Sequence, residues 1–181
     1  MYDKVNLMHV SYFDKIDTDE IIAMAAYSEN EAYEFYISLA NEVNNNFLKE
    51  KLKQFAEQER FHKKILMDLH ENLFGKKHIR EPSEKYPFEC FKLDLKVHNI
   101  KSLLDAFEIA MGCEKRAETI YKTISTKVKD KYAKEIFLYL SKMEKQHYNL
   151  LKGDHDFINA FTGSMNQLNK KSSFLGIKFK K

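Results

Sequence analysis

Glycine and proline are scarce in this chain, five and two among 181 residues. They are the weakest helix formers, so their scarcity leaves room for long uninterrupted helices. No apolar run approaches the ~20 residues that a membrane span needs, and no membrane partner is expected. Met1-Tyr2-Asp3-Lys4 is not a basic region leading into an apolar block, the pattern of a secretion signal. Two cysteines, Cys90 and Cys113, are too few for a disulfide framework and lack the Cys-x-x-Cys spacing of a metal knuckle. A reducing cytoplasm is therefore the expected location, with Cys113 a small buried thiol on a helix. A dominant charge is missing too: 30 basic and 27 acidic residues leave +3. Such a balance reads as a solvated helical surface and gives no reason to expect nucleic acid. Lys170, Lys171, Lys178, Lys180 and Lys181 supply much of the excess, as a solubilising tail does.

What is present is a pattern that occurs twice. Glu59-Arg60-Phe61-His62 returns as Glu144-Lys145-Gln146-His147, and each Glu-x-x-His has one glutamate upstream, Glu29 and Glu114. The differences 114 − 29, 144 − 59 and 147 − 62 all equal 85. Tyr36 and Tyr121 keep the same register. Outside this set few pairs match at that offset, Ala32/Ala117 and Leu66/Leu151 among them. The repeat rests on placement more than on overall similarity.

Helical periodicity puts these residues on apolar stripes. Ile22, Ala25, Ala26, Glu29, Tyr33, Tyr36, Ala40 and Val43 form the first, beginning near Thr18. After a turn at Asn44-Asn45-Asn46, Leu48, Leu52, Phe55, Glu59, His62, Leu66 and Leu69 form the second, ending at Gly75. A link over 75–98 holds Pro82, Pro87, Tyr86, Phe88 and Phe91. It is far longer than a turn between antiparallel neighbours requires, so it reads as a crossover packed on the bundle. Leu103, Phe107, Ala110, Glu114, Ala117, Tyr121 and Ile124 form the third stripe, and Ile136 or Phe137, Leu140, Glu144, His147 and Leu151 the fourth, closed by Gly153. The expected organisation is an arm over 1–17, a bundle over 18–152, and a short fifth helix with a basic tail over 153–181.

A carboxylate in the middle of an apolar stripe needs a reason, because burying an unpaired charge is costly. Residues three apart on a helix share a face, so each Glu-x-x-His can converge on one ion. Two such helices, with two more giving one glutamate each, bring Glu29, Glu59, His62, Glu114, Glu144 and His147 together as metal ligands. This inventory is that of di-metal carboxylate bundles. Four carboxylates carry −4, two neutral imidazoles nothing, and two divalent ions cancel the sum. Carboxylate and imidazole without thiolate suits iron or manganese. Tyr36 and Tyr121, two turns from the upstream glutamates, can orient ligating carboxylates or serve as core aromatics. His9, His70, His78, His98 and His155 have no comparable partners and read as surface or packing residues.

The segments Ser28–Tyr36, Ala56–His62, Glu114–Tyr121 and Met143–His147 resemble the ferritin-like superfamily and, within it, the rubrerythrin-like branch. The resemblance implies an all-α four-helix bundle of two hairpins and a centre of two iron ions that reacts with peroxide or dioxygen. It departs from that branch in two places. The four cysteines of a rubredoxin module are absent, so turnover needs an external electron donor such as a rubredoxin-type protein. Ala117 stands where such proteins carry a further glutamate, which leaves a symmetric site closer to bacterioferritin-type or erythrin-like centres. A homodimer with peroxidase or ferroxidase activity, in oxidative-stress defence or iron handling, is the leading expectation. Iron storage without rapid turnover and a di-iron oxygenase, with space beside Ala25, Ala110 and Ala117, are the alternatives. A metal-free interaction bundle would strand four core carboxylates.

Overall fold

The computed structural model describes residues 12–83, 88, 90 and 96–167. Four helices follow in order: α1 (Thr18–Glu42), α2 (Asn46–Phe74), α3 (Ile100–Lys127) and α4 (Lys131–Gln167). Short turns pair α1 with α2 and α3 with α4, giving two hairpins joined by the crossover. This is an all-α four-helix bundle, and local chemistry sets its boundaries. Asp19 and Glu20 occupy the first turn of α1, where the helix dipole favours negative charge. Asn45 caps α2 through a 2.9 Å bond from the Leu48 amide. Gly75 ends that helix at φ 67° and donates its N–H to Glu71 O, a left-handed cap that glycine adopts without steric cost. Asn99 and Ser102 form a reciprocal capping box at the start of α3. Asp130 Oδ1 accepts from the Ala133 amide, 2.7 Å away, at the start of α4.

The stripes pack into two apolar groups. One gathers Ile22, Met24, Leu66, Leu69, Ile120, Tyr121, Phe137 and Leu140. The other gathers Tyr36, Leu39, Leu52, Phe55, Leu103, Phe107 and Leu151. Fully burying each large aliphatic or aromatic side chain contributes about 1.5–3 kcal/mol. Glu29, Glu59, Glu114 and Glu144 fall between the two groups along every helix. The crossover is tied down near its start: Glu20 accepts from Arg80 Nη2 (2.9 Å), the Ser83 amide (2.6 Å) and Ser83 Oγ (2.7 Å). Phe88 is buried against Tyr121. Pro87, Tyr86, Phe91, His9 and the basic tail lie outside the described residues. Among those described, no helix is long and apolar enough to cross a membrane.

Two expectations are corrected. Gly153 does not close the fourth helix, and among the described residues no separate fifth helix follows, because α4 continues through it to Gln167. A glycine inside a helix costs about 1 kcal/mol relative to alanine. Here Leu151 and Ile158, both buried, carry the apolar stripe past it, and Lys51 pairs with Asp154 beside it. The cysteines are not free thiols either. Cys90 of the crossover and Cys113 of α3 form a disulfide, their Cα atoms 5.6 Å apart. Sequence spacing carries no trace of this pair, because the crossover alone brings Cys90 to α3. A paired Cys90 and Cys113 do not point to a reducing compartment.

Candidate metal centre

All six residues singled out above converge in the layer between the apolar groups, and each is 4 % exposed or less. The i, i+3 spacing on α2 places Glu59 Oε2 3.1 Å from His62 Nδ1. On α4 the same spacing places Glu144 Oε2 3.5 Å from His147 Nδ1. The two imidazole rings stack across the bundle, centroids 5.2 Å apart. Glu59 and Glu144 are shared. Glu59 turns Oε2 to His62 and Oε1 to His147, the latter at 2.9 Å. Glu144 turns Oε1 to His62 at 3.1 Å and Oε2 to His147. Glu29 and Glu114 are terminal: Glu29 Oε2 is 3.6 Å from His62 Nδ1, and Glu114 Oε2 is 3.6 Å from His147 Nδ1. The arrangement divides into two equivalent halves, each with one histidine, one terminal glutamate and one oxygen from each shared carboxylate.

The tyrosines complete the symmetry by crossing it. Tyr36 on α1 donates its hydroxyl to Glu114 Oε1 on α3, and Tyr121 on α3 donates to Glu29 Oε1 on α1. Each therefore reaches the glutamate of the other repeat. One residue of the surround escaped the sequence reading. Gln58 Oε1 lies 2.6 Å from His147 Nε2, and a half-buried glutamine on a charged helix gives no periodic signal. His70, expected as a surface or packing residue, is buried and bonded to Asp19 and Lys76 O. His78 and His98 are exposed; His155 is half-buried and pairs with Asp156 and Glu108.

Electrostatics without metal show what the site stores. Burial and the charge of Glu144 push Glu29 well above the usual carboxylate range. Burial and the charge of Glu59 do the same to Glu114. Burial also opposes ionisation of Glu59 and Glu144, but the close His62 and His147 rings outweigh it and hold these two low. Burial disfavours charge on His62 and His147, yet the surrounding carboxylates outweigh it and both imidazoles keep their protons far above the ordinary range. Burial and then the nearby carboxylates raise both tyrosines. Without metal, the raised imidazoles thus sit against the lowered shared carboxylates, while the outer glutamates favour their protonated form.

That balance leaves atoms unsatisfied. Glu59 Oε1, Glu144 Oε1 and His147 Nδ1 are buried without an aligned hydrogen-bond partner. His147 Nδ1 and Glu59 Oε1 are nevertheless 2.9 Å apart. The distance signals convergence, whereas the angles show that neither atom is aimed at the other. Lone pairs directed at a common point are what a bound cation requires, and a lost partner for a buried polar atom costs about 1–3 kcal/mol. Glu59, His62, Glu144 and His147 offer ligand atoms all within 4.8 Å of one another, so this cluster can hold a metal ion. Oxygen and imidazole donors without sulfur fit iron or manganese.

Comparison with known proteins agrees with this chemistry. The family model described as rubrerythrin matches residues 20–153. The chain is similar to the solved structure of a hypothetical protein from Pyrococcus furiosus, with 28% sequence identity and a TM-score of 0.75. That alignment covers 84% of this chain and 96% of the other. No curated protein matches the chain.

Proposed function

The chain belongs to the rubrerythrin family, and from that premise we propose that it is a non-haem di-iron oxidoreductase acting on hydrogen peroxide or dioxygen. The observation that carries the reading is the sharing of Glu59 and Glu144, each with one oxygen toward each histidine. Glu29 and His62 would hold one ion and Glu114 and His147 the other, with Glu59 and Glu144 available to both. Two ferrous ions held there supply a pair of electrons to one small oxidant. The protein's own residues do the rest. The apolar layers on either side exclude bulk water and strengthen every charge interaction inside. Tyr36 and Tyr121 fix the orientation of Glu114 and Glu29 and keep a proton beside each. Gln58 orients His147, as outer hydrogen-bond partners of metal ligands do.

Metal analysis and absorption spectroscopy test the proposal. Purified protein should contain two irons per chain and, once reduced, bleach one equivalent of peroxide far faster than free ferrous iron does. Protein that carries only zinc, or that consumes peroxide no faster than free iron, would overturn it. A homodimer is the proposed assembly, and a 24-subunit shell in solution would instead indicate iron storage.

A further inference from the structure

Cysteine pairing places redox-capable sulfur beside the centre. Cys113 immediately precedes Glu114 on α3 and is 2 % exposed, while its partner Cys90 on the crossover is only half-buried. Neighbouring Cα atoms are about 3.8 Å apart, which keeps the Cys113 sulfur within roughly 10 Å of the Glu114 carboxylate. Cys90 is the less buried end of the pair, and the buried end is covalently next to an assigned ligand.

We propose that Cys90 and Cys113 are a two-electron store that recharges the metal centre from within the chain. This rests on the di-iron reading above. As a dithiol, the pair forms its sulfur–sulfur bond and releases two electrons and two protons. The electrons return two ferric ions to the ferrous state. Reduction of one hydrogen peroxide by two ferrous ions takes up two protons and gives two waters. The sum is two thiols and one peroxide giving one disulfide and two waters. An external dithiol then reopens the disulfide: its thiolate attacks Cys90, the less buried sulfur, and Cys113 leaves as thiolate. The second thiol of the reductant displaces Cys90 and carries the disulfide away. The required donor is thus a small or protein dithiol, a chemical class different from an iron–sulfur carrier.

The test uses full-length protein reduced with dithiothreitol, freed of reductant and loaded anaerobically with ferrous iron. One equivalent of hydrogen peroxide is added, absorbance follows the iron, and alkylation with mass measurement counts the remaining thiols. The expected result is a rapid rise of ferric absorption followed by its decay, with two thiols lost per chain. Zinc-loaded protein should keep its thiols over the same interval, and Cys90→Ser should retain the ferric absorption. No rapid rise would overturn the di-iron reading, and the store with it. A rapid rise with both thiols retained would overturn the store alone and leave the disulfide a structural tie. Equal thiol loss in zinc-loaded protein would overturn it too, since the sulfur would then react with peroxide directly.

Discussion

Gln58 Oε1 on α2 sits 2.6 Å from His147 Nε2 on α4, a contact that its repeat partner cannot make in the same way. At the 85 offset the equivalent of Gln58 is Met143, whose thioether is only a weak acceptor. Gln58 selects the form of His147 that carries hydrogen on Nε2 and presents Nδ1 to the site.

The two ions should therefore differ in affinity. Gln58→Leu is expected to weaken the ion at His147 by roughly 10–100-fold, leaving the ion at His62 little changed. Titration of metal-free protein with manganese, followed by calorimetry, would show one step separating from the other. An equal loss at both steps would show that Gln58 matters only for packing.

The tyrosines give a crossed prediction. Tyr36→Phe removes the donor to Glu114 and Tyr121→Phe the donor to Glu29. Each should lower stability by about 1–3 kcal/mol, because a buried acceptor loses its partner. Each should weaken the ion of the opposite repeat, the one bound by Glu114 for Tyr36 and by Glu29 for Tyr121. Denaturant midpoints read the first effect and metal titrations the second. Weakening of the ion in a tyrosine's own repeat would contradict the crossed contacts.

Stability of the metal-free protein should fall as pH rises. Glu29 and Glu114 have folded-state pKa values above the ordinary 4.5. Their contribution is full below that value and is lost as pH climbs through the raised one. Glu59 and Glu144 are shifted the other way, so their contribution is present above 4.5 and lost on acidification. The raised imidazoles contribute fully below about 6.5 and progressively less as pH rises above it. Metal-free protein should accordingly melt highest in mildly acidic solution. Glu29→Gln, which stays neutral, should raise the metal-free melting temperature at pH 8 by about 2–4 °C per kcal/mol recovered. The gain should shrink towards pH 5. A melting point that climbs from pH 5 to pH 8 in metal-free wild type would refute this.

Metal loading must then expel protons. His62, His147, Glu29 and Glu114 all have their protonated forms favoured in the metal-free protein, and none can keep a proton on a ligating atom. Filling the site should release protons, measurable with an indicator dye in weak buffer. Affinity should rise with pH, opposite in sign to the metal-free stability. Release of no protons would mean that the ions bind elsewhere.

The repeat, the helices and the converging acids were legible in the sequence because all three follow from periodicity. A glutamate on a stripe of leucines and alanines stands out, and its recurrence 85 residues later removes coincidence. The end of α4 was not legible. Gly153 has the local look of a stop, and only the packing of Leu151 and Ile158 on either side overrides it. The Cys90–Cys113 pair and Gln58–His147 contact were hidden for a related reason. Both join segments distant in sequence, and neither residue type leaves a periodic mark. The tyrosine register was visible, but its crossing was not, since spacing along one helix does not say which neighbour a side chain reaches.

Each hairpin contributes one terminal glutamate, one histidine and one shared carboxylate, so neither hairpin alone can fill two coordination spheres. Bound cations would therefore act as rivets between the α1–α2 and α3–α4 halves. Demetallation would loosen the seam between these halves while sparing the helices themselves, and a polypeptide cleaved in the crossover could be reunited by adding the metal back.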